Sequence, residues 1–282
     1  MFDLLYLLWS ILLVLLSSDT KPVPTDWTEY GVWGDYIGGV WGTLISAGAL
    51  IFLAATWRST KKADVRSSIM TVLAEMLKTH DAIVAQSPNL SAIALREFSA
   101  LYKFVIVKAE RATDWGALER VDICYTMVFY GPSTHSVHAL ARYGPTHVKA
   151  VQDPLHRLTQ RGGSRFKELF KGNQGALSHY MRNLFGMYTL IDDSDLSYND
   201  KQRLAKIVRT KLSNYDQALL ALNILSHLGQ EWIRTGICNR YRPIANVPKH
   251  FFGYDDKLKL KLYFPLIDFE WEKRASQSAL TP

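Results

Sequence analysis

The organisation of this chain is clearest in residues 177–228, which read LSHYMRNLFGMYTLIDDSDLSYNDKQRLAKIVRTKLSNYDQALLALNILSHL. Apolar residues recur there at intervals of three and four, the spacing that places them on one face of a helix. The spacing predicts one helix over residues 177–191 and a second from Tyr198 to about Leu228. Both helices are expected to pack an apolar face against a core.

Polar residues collect on the opposite face of each predicted helix, because each residue turns the helix by about 100°. The two polar faces are predicted to meet in a polar network formed by His179, Arg182, Asn183, Arg209, Ser213, Asp216 and Asn223. One interpretation is structural, since a buried Arg needs a carboxylate such as Asp216 and buried amides need hydrogen-bond partners. The other is a catalytic or ligand site, with His179 as a base and Arg182 as a cation.

The same residues resemble the signature of the putative phage abortive infection protein family. The resemblance is carried by His179-Tyr180-x-Arg182-Asn183-Leu184, then by Arg209-x-x-Leu212-Ser213-x-Tyr215-Asp216 and Asn223. Residues 34–39, GDYIGG, resemble the segment that leads into the second membrane helix of the family. We name residues 175–228 the signature segment. The resemblance implies a bacterial phage-defence protein with N-terminal membrane helices, a helical cytoplasmic domain and an unknown trigger derived from the phage.

Composition sets wider limits. The chain has 282 residues, of which 48% are hydrophobic, a net charge of +7 and only two cysteines. The basic balance is compatible with an anionic membrane surface or with nucleic acid, and residue patterns do not support nucleic acid specifically. Two distant cysteines argue against a disulfide framework and a Cys-based zinc site. No P-loop or dinucleotide motif is present, so no cofactor is expected.

Two apolar runs near the N-terminus predict transmembrane helices, at about residues 2–18 and 36–57. A cleaved signal peptide is the alternative for the first run, but no Lys or Arg precedes it. In the second run Gly38, Gly42 and Ser46 recur every fourth residue, a spacing that permits close packing against the first span or against an identical copy in a homo-oligomer. The alternative is that small residues are simply common in membrane helices.

Basic residues follow the second run and predict its orientation. Arg58, Lys61, Lys62 and Arg66 come directly after it, whereas the preceding loop holds only Lys21. The positive-inside rule then places residues 58–282 in the cytoplasm, together with the N-terminus. We therefore predict a multi-pass protein of the bacterial inner membrane, with a membrane anchor over residues 1–57 and membrane lipid as a partner.

The cytoplasmic domain is predicted to be mostly α-helical. Helices are expected over residues 58–84, 91–112, 114–130 (with Asp114 as N-cap), 146–161 and 231–241, besides the two in the signature segment. Residues 257–262 alternate Lys and Leu, which predicts one short strand or β ribbon near the C-terminus.

Two further patterns suggest chemistry. Arg142 and His147 resemble the R-x4-6-H element of HEPN ribonucleases, in which Arg would steady a phosphate and His would move a proton. Here Gly144-Pro145 lies between them and would break a helix. His135 and His138 have the spacing of half a metal site but lack an acidic or Cys neighbour, so no metal site is predicted.

Two functions follow as hypotheses. The first is a non-enzymatic sensor or effector, which passes a phage-triggered change to the membrane helices and stops growth or damages the membrane. The alternative is a membrane-tethered ribonuclease that cuts RNA on infection through Arg142 and His147 or through His179 and Arg182.

Overall fold

The structure is a computed structural model, and it describes residues 27–103, 116–145, 149, 151–153, 170–252 and 258–272. The predicted first membrane span, residues 2–18, lies outside the described residues, as does most of the helix predicted at 146–161. The chain divides into a first unit that ends at Lys61 and a second that begins at Lys62.

A single helix, α1, runs over Trp27–Gln86. In the first unit every side chain from 38 to 61 is exposed, including Leu50, Ile51 and Phe52. Residues Gly34–Gln86 form a helix that is long and apolar enough to cross a membrane, by length and composition alone. The segment predicted as the second span, 36–57, lies within this helix.

The second unit is built from helices, as predicted, and no strand occurs in the described part of the chain. From residue 62 onward α1 carries Leu73 into the core, and a turn at Ser87–Asn89 ends it. The later helices, numbered in chain order, are α2 (Leu90–Leu101), α3 (Ala117–Tyr130), α4 (Thr134–Leu140), α5 (Gln174–Asp193), α6 (Tyr198–Lys211), α7 (Asn214–Leu225), α8 (Glu231–Arg234), α9 (Ile237–Tyr241) and α10 (Leu260–Tyr263).

Helix α7 lies at the centre of this unit and packs against α2 and α3. All eight of its residues from Gln217 to Ile224 are buried. A helix that is buried all round needs partners for its polar side chains. Gln217 has them, because its Oε1 accepts from the Asn246 backbone N–H at 2.9 Å and its Nε2 donates to the Leu212 carbonyl at 3.3 Å.

The prediction of a single helix from Tyr198 to about Leu228 is wrong, because this segment forms two helices, α6 and α7. Leu212 between them is extended, with φ −87° and ψ 124°. Ser213 then caps α7, since its hydroxyl accepts from the Asp216 N–H at 3.2 Å and Asp216 accepts from the Ser213 N–H at 2.9 Å. This reciprocal capping box starts a new helix at α7. The apolar spacing, taken alone, predicts that the preceding helix continues.

The helix predicted over residues 231–241 is likewise divided, into α8 and α9. Gly236 lies between them with φ 73°, a left-handed conformation that helix geometry excludes and glycine adopts readily. At the start of α3 the N-cap is Gly116, not Asp114, and residue 114 itself is outside the described residues.

The predicted strand or ribbon at 257–262 is also wrong where the structure describes it. Residues Leu260–Tyr263 form a helical turn, closed by a hydrogen bond of 2.8 Å from the Phe264 N–H to the Leu260 carbonyl. Leu258 and Leu260 are buried while Leu262 is 73% exposed, so the three do not share a face. A lone strand would leave its backbone groups unpaired, whereas a helical turn pairs them locally.

Both cysteines, Cys124 and Cys238, are free thiols inside the core. Burial raises the pKa of the Cys238 thiol to about 12 and also raises the pKa of Cys124. Neither thiol is therefore poised for chemistry.

Candidate functional site

Helix α5 has the two faces that the sequence predicts. Leu177, Tyr180 and Leu184 are buried, whereas His179 and Arg182 are exposed and make no hydrogen bond or ion pair in the part of the chain that the structure describes. The half-buried Asn183 donates from Nδ2 to the Met76 carbonyl of α1 at 3.2 Å. Of the three predicted polar residues on this helix, Asn183 is therefore structural, and the other two are available to solvent.

Ser213 and Asp216 are brought together at the start of α7. The Ser213 hydroxyl donates to Asp216 Oδ2 at 2.6 Å, in addition to the capping contacts. The other carboxylate oxygen, Oδ1, accepts a short hydrogen bond from the Ser91 hydroxyl of α2. Asp216 thus joins the first turn of α7 to α2, and it does so through hydroxyl groups. The predicted ion pair of Asp216 with Arg182 or Arg209 is not among the contacts of the described residues.

Arg209 contacts a different part of the molecule. Its guanidinium Nη1 donates to the Arg242 carbonyl at 3.1 Å and reaches the Tyr241 carbonyl at 3.5 Å. These carbonyls lie at the C-terminal end of α9, where helix carbonyls lack partners within the helix. Arg209 therefore fastens α9 to α6.

Asn223 is buried at the far end of α7, where its Nδ2 donates to the Tyr125 hydroxyl of α3 at 3.1 Å. The signature polar residues consequently do not form the single network that was predicted. Ser213 and Asp216 contact each other, and Asn183, Arg209 and Asn223 each hold a separate junction between elements.

Arg142, the first half of the predicted R-x4-6-H element, lies in a turn of 3-10 helix at Ala141–Tyr143. Its Nε donates to the Ala139 carbonyl at 3.0 Å, and its side chain is exposed. His147 lies outside the described residues, so the pairing of these two residues stays a prediction.

A pair that the sequence analysis missed joins α3 to the turn after α7. His227 Nδ1 lies 2.7 Å from Asp122 Oδ1, and the His227 backbone N–H donates to the same oxygen at 2.9 Å. The Tyr143 hydroxyl donates a short hydrogen bond to Oδ2. Burial alone would raise the pKa of Asp122, but the hydrogen bonds from His227 and Tyr143 outweigh burial and lower it.

The Asp122 and His227 arrangement can fix a tautomer. A carboxylate at Nδ1 favours a proton there, which leaves Nε2 as an acceptor. The signal in the sequence was one carboxylate inside the apolar run Val121-Asp122-Ile123.

A second missed cluster surrounds His80 of α1. Its side chain is only 3% exposed, and its ring centroid lies 4.8 Å from that of Tyr180 on α5, at an interplanar angle of 45°. His80 Nδ1 is buried and has no hydrogen-bond partner among the described residues, and the Tyr180 hydroxyl lies near Asp216 and Ser91. A buried nitrogen without a partner is costly, which marks this place as unusual.

Within the described ranges no group of three or more His, Cys, Asp or Glu side chains could hold a metal ion. A Cβ atom built on Gly38 or Gly42 would meet nothing within 4 Å, and Ser46 is exposed. The row of small residues is thus an open surface of α1, and its proposed packing partner stays a prediction.

Comparison with known proteins finds a family model that matches part of the chain. Residues 172–252 match the model of the family described as "Putative phage abortive infection protein". No curated protein matches the chain, and no solved structure does. The matched residues contain α5 to α9 and therefore all seven polar residues of the signature segment, together with His227. The resemblance seen in the signature segment is confirmed, because residues 172–252 match the model of this family, whereas residues 34–39 lie outside the match.

Proposed function

We propose that this chain is a phage-defence protein that acts by abortive infection as a membrane-anchored sensor or effector. The observation that carries the proposal is the family match over residues 172–252, since the name of the family is phage abortive infection. In the proposed mechanism a phage-derived trigger changes the second unit, and the membrane helices then arrest growth or damage the membrane of the infected bacterium.

The membrane part of the proposal rests on α1. Its residues from 38 to 61 are all exposed, and the segment has the length and composition of a membrane-spanning helix. An apolar surface of this length is expected to be covered by lipid rather than by water. Arg58, Lys61, Lys62 and Arg66 follow it, so the proposed location is the bacterial inner membrane with the second unit on the cytoplasmic side.

The row formed by Gly38, Gly42 and Ser46 is proposed as the contact through which identical copies associate. Leucine at Gly42 would hold a neighbouring helix away, whereas Gly48 lies about 120° around the helix from Gly42, since each residue turns it by about 100°. Gly48→Leu is therefore a matched control, because neither glycine has a neighbouring atom within 4 Å in the single chain.

The test is a plaque assay against a broad phage panel, with a dye that reports membrane potential. The wild-type chain and Gly48→Leu are expected to reduce plating of a susceptible phage and to depolarise infected cells, and Gly42→Leu is expected to do neither. If the plaque counts equal those of cells without the gene for every phage, the proposed defence function is refuted. Equal effects of Gly42→Leu and Gly48→Leu would refute the proposed helix contact.

A second candidate is the membrane-tethered ribonuclease. It is favoured by His179 and Arg182, which are exposed one turn apart on α5 without partners in the described part of the chain. Such a pair could contact a phosphate and accept a proton. The test is RNA integrity in infected cells: cleavage that His179→Ala abolishes would support it, and intact RNA together with depolarisation would exclude it.

A further inference from the structure

The buried His80 lies where four elements of the second unit meet. Its own helix is α1, and its ring rests on Tyr180 of α5. Asp216 at the start of α7 is close enough to influence the charge of both His80 and Tyr180, and Ser91 of α2 is bonded to Asp216. Two of these residues, Tyr180 and Asp216, belong to the signature motif.

Three charged groups act on His80. Asp216 and Asp81 favour its protonated form, and Lys211 at the end of α6 opposes it. Asp81 and Lys211 are paired with each other at 3.1 Å, so their effects partly cancel. Burial is the largest influence and lowers the pKa of His80 below its ordinary value of 6.5, and the side chain is therefore neutral at neutral pH.

Asp216 is the carboxylate that a proton on His80 would affect most. It is the largest of the three charged influences, and both of its oxygens already accept hydrogen bonds, Oδ1 from Ser91 and Oδ2 from Ser213. An imidazolium donates from both ring nitrogens. Nδ1 of His80 is buried without an acceptor among the described residues. A proton on this nitrogen therefore requires that an acceptor move into hydrogen-bond distance.

We propose that His80 is a protonation-sensitive latch, in which a proton on the imidazole draws the Asp216 carboxylate away from Ser91 and Ser213 and loosens the first turn of α7 from α2. The neutral ring packs on Tyr180 and leaves the cap of α7 intact. The protonated ring competes for the carboxylate that forms this cap. Acid therefore opens the junction between α1, α5 and α7.

The direction of the pH effect follows from linkage. The pKa of His80 is lower in the folded chain than in the unfolded chain, so between these two values the open or unfolded form binds more protons. The closed state is fully stable above about pH 6.5 and loses stability as the pH falls below it. One proton changes the opening equilibrium by at most about tenfold per pH unit.

The latch goes beyond the proposed function, on which it rests only for its role in the cell. A membrane that conducts protons acidifies the cytoplasm, and this acid would be the signal that reaches His80. The conformational claim itself needs no phage, and it can be tested on the purified full-length chain in detergent micelles.

The experiment is hydrogen–deuterium exchange of peptides that cover residues 213–217, between pH 7.5 and 5.5, corrected for the chemical exchange rate. In the wild-type chain, protection of these amides is expected to fall by up to about tenfold per pH unit below pH 6.5. The same fall is expected in the control His138→Gln, which removes an exposed histidine of α4. In His80→Gln the protection is expected to be independent of pH.

A fall of the same size in His80→Gln, or no fall in the wild-type chain, would overturn the latch. If His80→Gln does not fold, His80→Phe keeps a ring against Tyr180 and removes the titration, and the same outcomes apply. If the chain gives no protection against phage but shows the His80-dependent fall in amide protection, the proposed function is refuted and the latch is supported. Plaque protection without the His80-dependent fall in amide protection would support the proposed function and refute the latch.

Discussion

Asp122 Oδ1 accepts two hydrogen bonds from His227, one from Nδ1 at 2.7 Å and one from the backbone N–H at 2.9 Å. One carboxylate oxygen of α3 therefore holds both the ring and the backbone of the turn that follows α7. Since Tyr143 occupies the other oxygen, the same side chain also fixes the turn of 3-10 helix after α4.

We expect Asp122→Asn to lower the free energy of unfolding by about 2 kcal/mol at pH 7, because hydrogen bonds to a charged acceptor become bonds to a neutral amide. The lowered pKa of Asp122 means that its contribution is present above the unfolded value near 3.8 and is lost as the pH falls through the folded value. The difference between the variant and the wild-type chain should therefore shrink below about pH 4.

The measurement is denaturant unfolding followed by circular dichroism at pH 7 and at pH 3.5. Asp195→Asn, which changes an exposed carboxylate, is the matched control and is expected to leave unfolding unchanged. A difference between Asp122→Asn and the wild-type chain that is as large at pH 3.5 as at pH 7 would contradict the assignment of the pKa shift to this carboxylate.

The hydrogen bond between Asn223 and Tyr125 provides a second prediction. Asn223→Ala should cost about 1–3 kcal/mol, because it leaves the buried Tyr125 hydroxyl unpaired, and Tyr125→Phe should cost a comparable amount. In the double variant the two losses should not add, and a coupling of about 1 kcal/mol is expected. Additive losses in equilibrium unfolding would show that the contact contributes nothing, and Asn214→Ala at an exposed position of α7 is the control.

Gly229 provides a third prediction, from close packing. A Cβ atom at this position would lie 2.2 Å from the Asn223 carbonyl oxygen, a backbone atom that cannot move independently. Gly229→Ala should therefore destabilise the fold by about 1–3 kcal/mol or prevent its formation. At Gly175 of α5 a Cβ meets nothing within 4 Å, so Gly175→Ala should be neutral or slightly stabilising. Equal melting temperatures for the two variants would refute the packing argument.

The exposed residues of α5 provide a fourth prediction. His179→Ala and Arg182→Ala should each change the free energy of unfolding by less than about 0.5 kcal/mol, since neither side chain has a partner in the described residues. Arg209→Ala should cost about 1–3 kcal/mol, because the carbonyls at the end of α9 lose their donor. Thermal unfolding by circular dichroism measures all three, and a large loss in His179→Ala would mean that its surroundings are not those seen here.

The faces of α5 could be predicted from the sequence, because apolar spacing reports directly which side of a helix is buried. The break before α7 was missed for a physical reason. Apolar spacing continues across Leu212, and the decisive signal is the local capping box that begins at Ser213, whose strength depends on the carboxylate of Asp216. At Leu262 the alternation of Lys and Leu failed because no partner strand is present in the described part of the chain.

The polar contacts were harder to predict than the helices. A buried polar residue shows its type in the sequence but not its partner, which comes from a distant element. Asp122 and His227 are 105 residues apart, and Asn223 and Tyr125 are 98 apart. Spacing along one helix carries no information about such pairs. The prediction therefore paired Asp216 with Arg182 or Arg209, while the fold joins Arg209 to the backbone of Arg242.

The burial of Cys124 and Cys238 has a practical consequence for the question of orientation. A thiol reacts as its thiolate, and both of these thiols are buried and have raised pKa values. A maleimide applied to intact cells should therefore not react with them until the protein unfolds. The natural chain therefore already serves as a background without reactive cysteines. A single cysteine placed at Ser59 or at Thr25 could then report which side of the membrane each position faces.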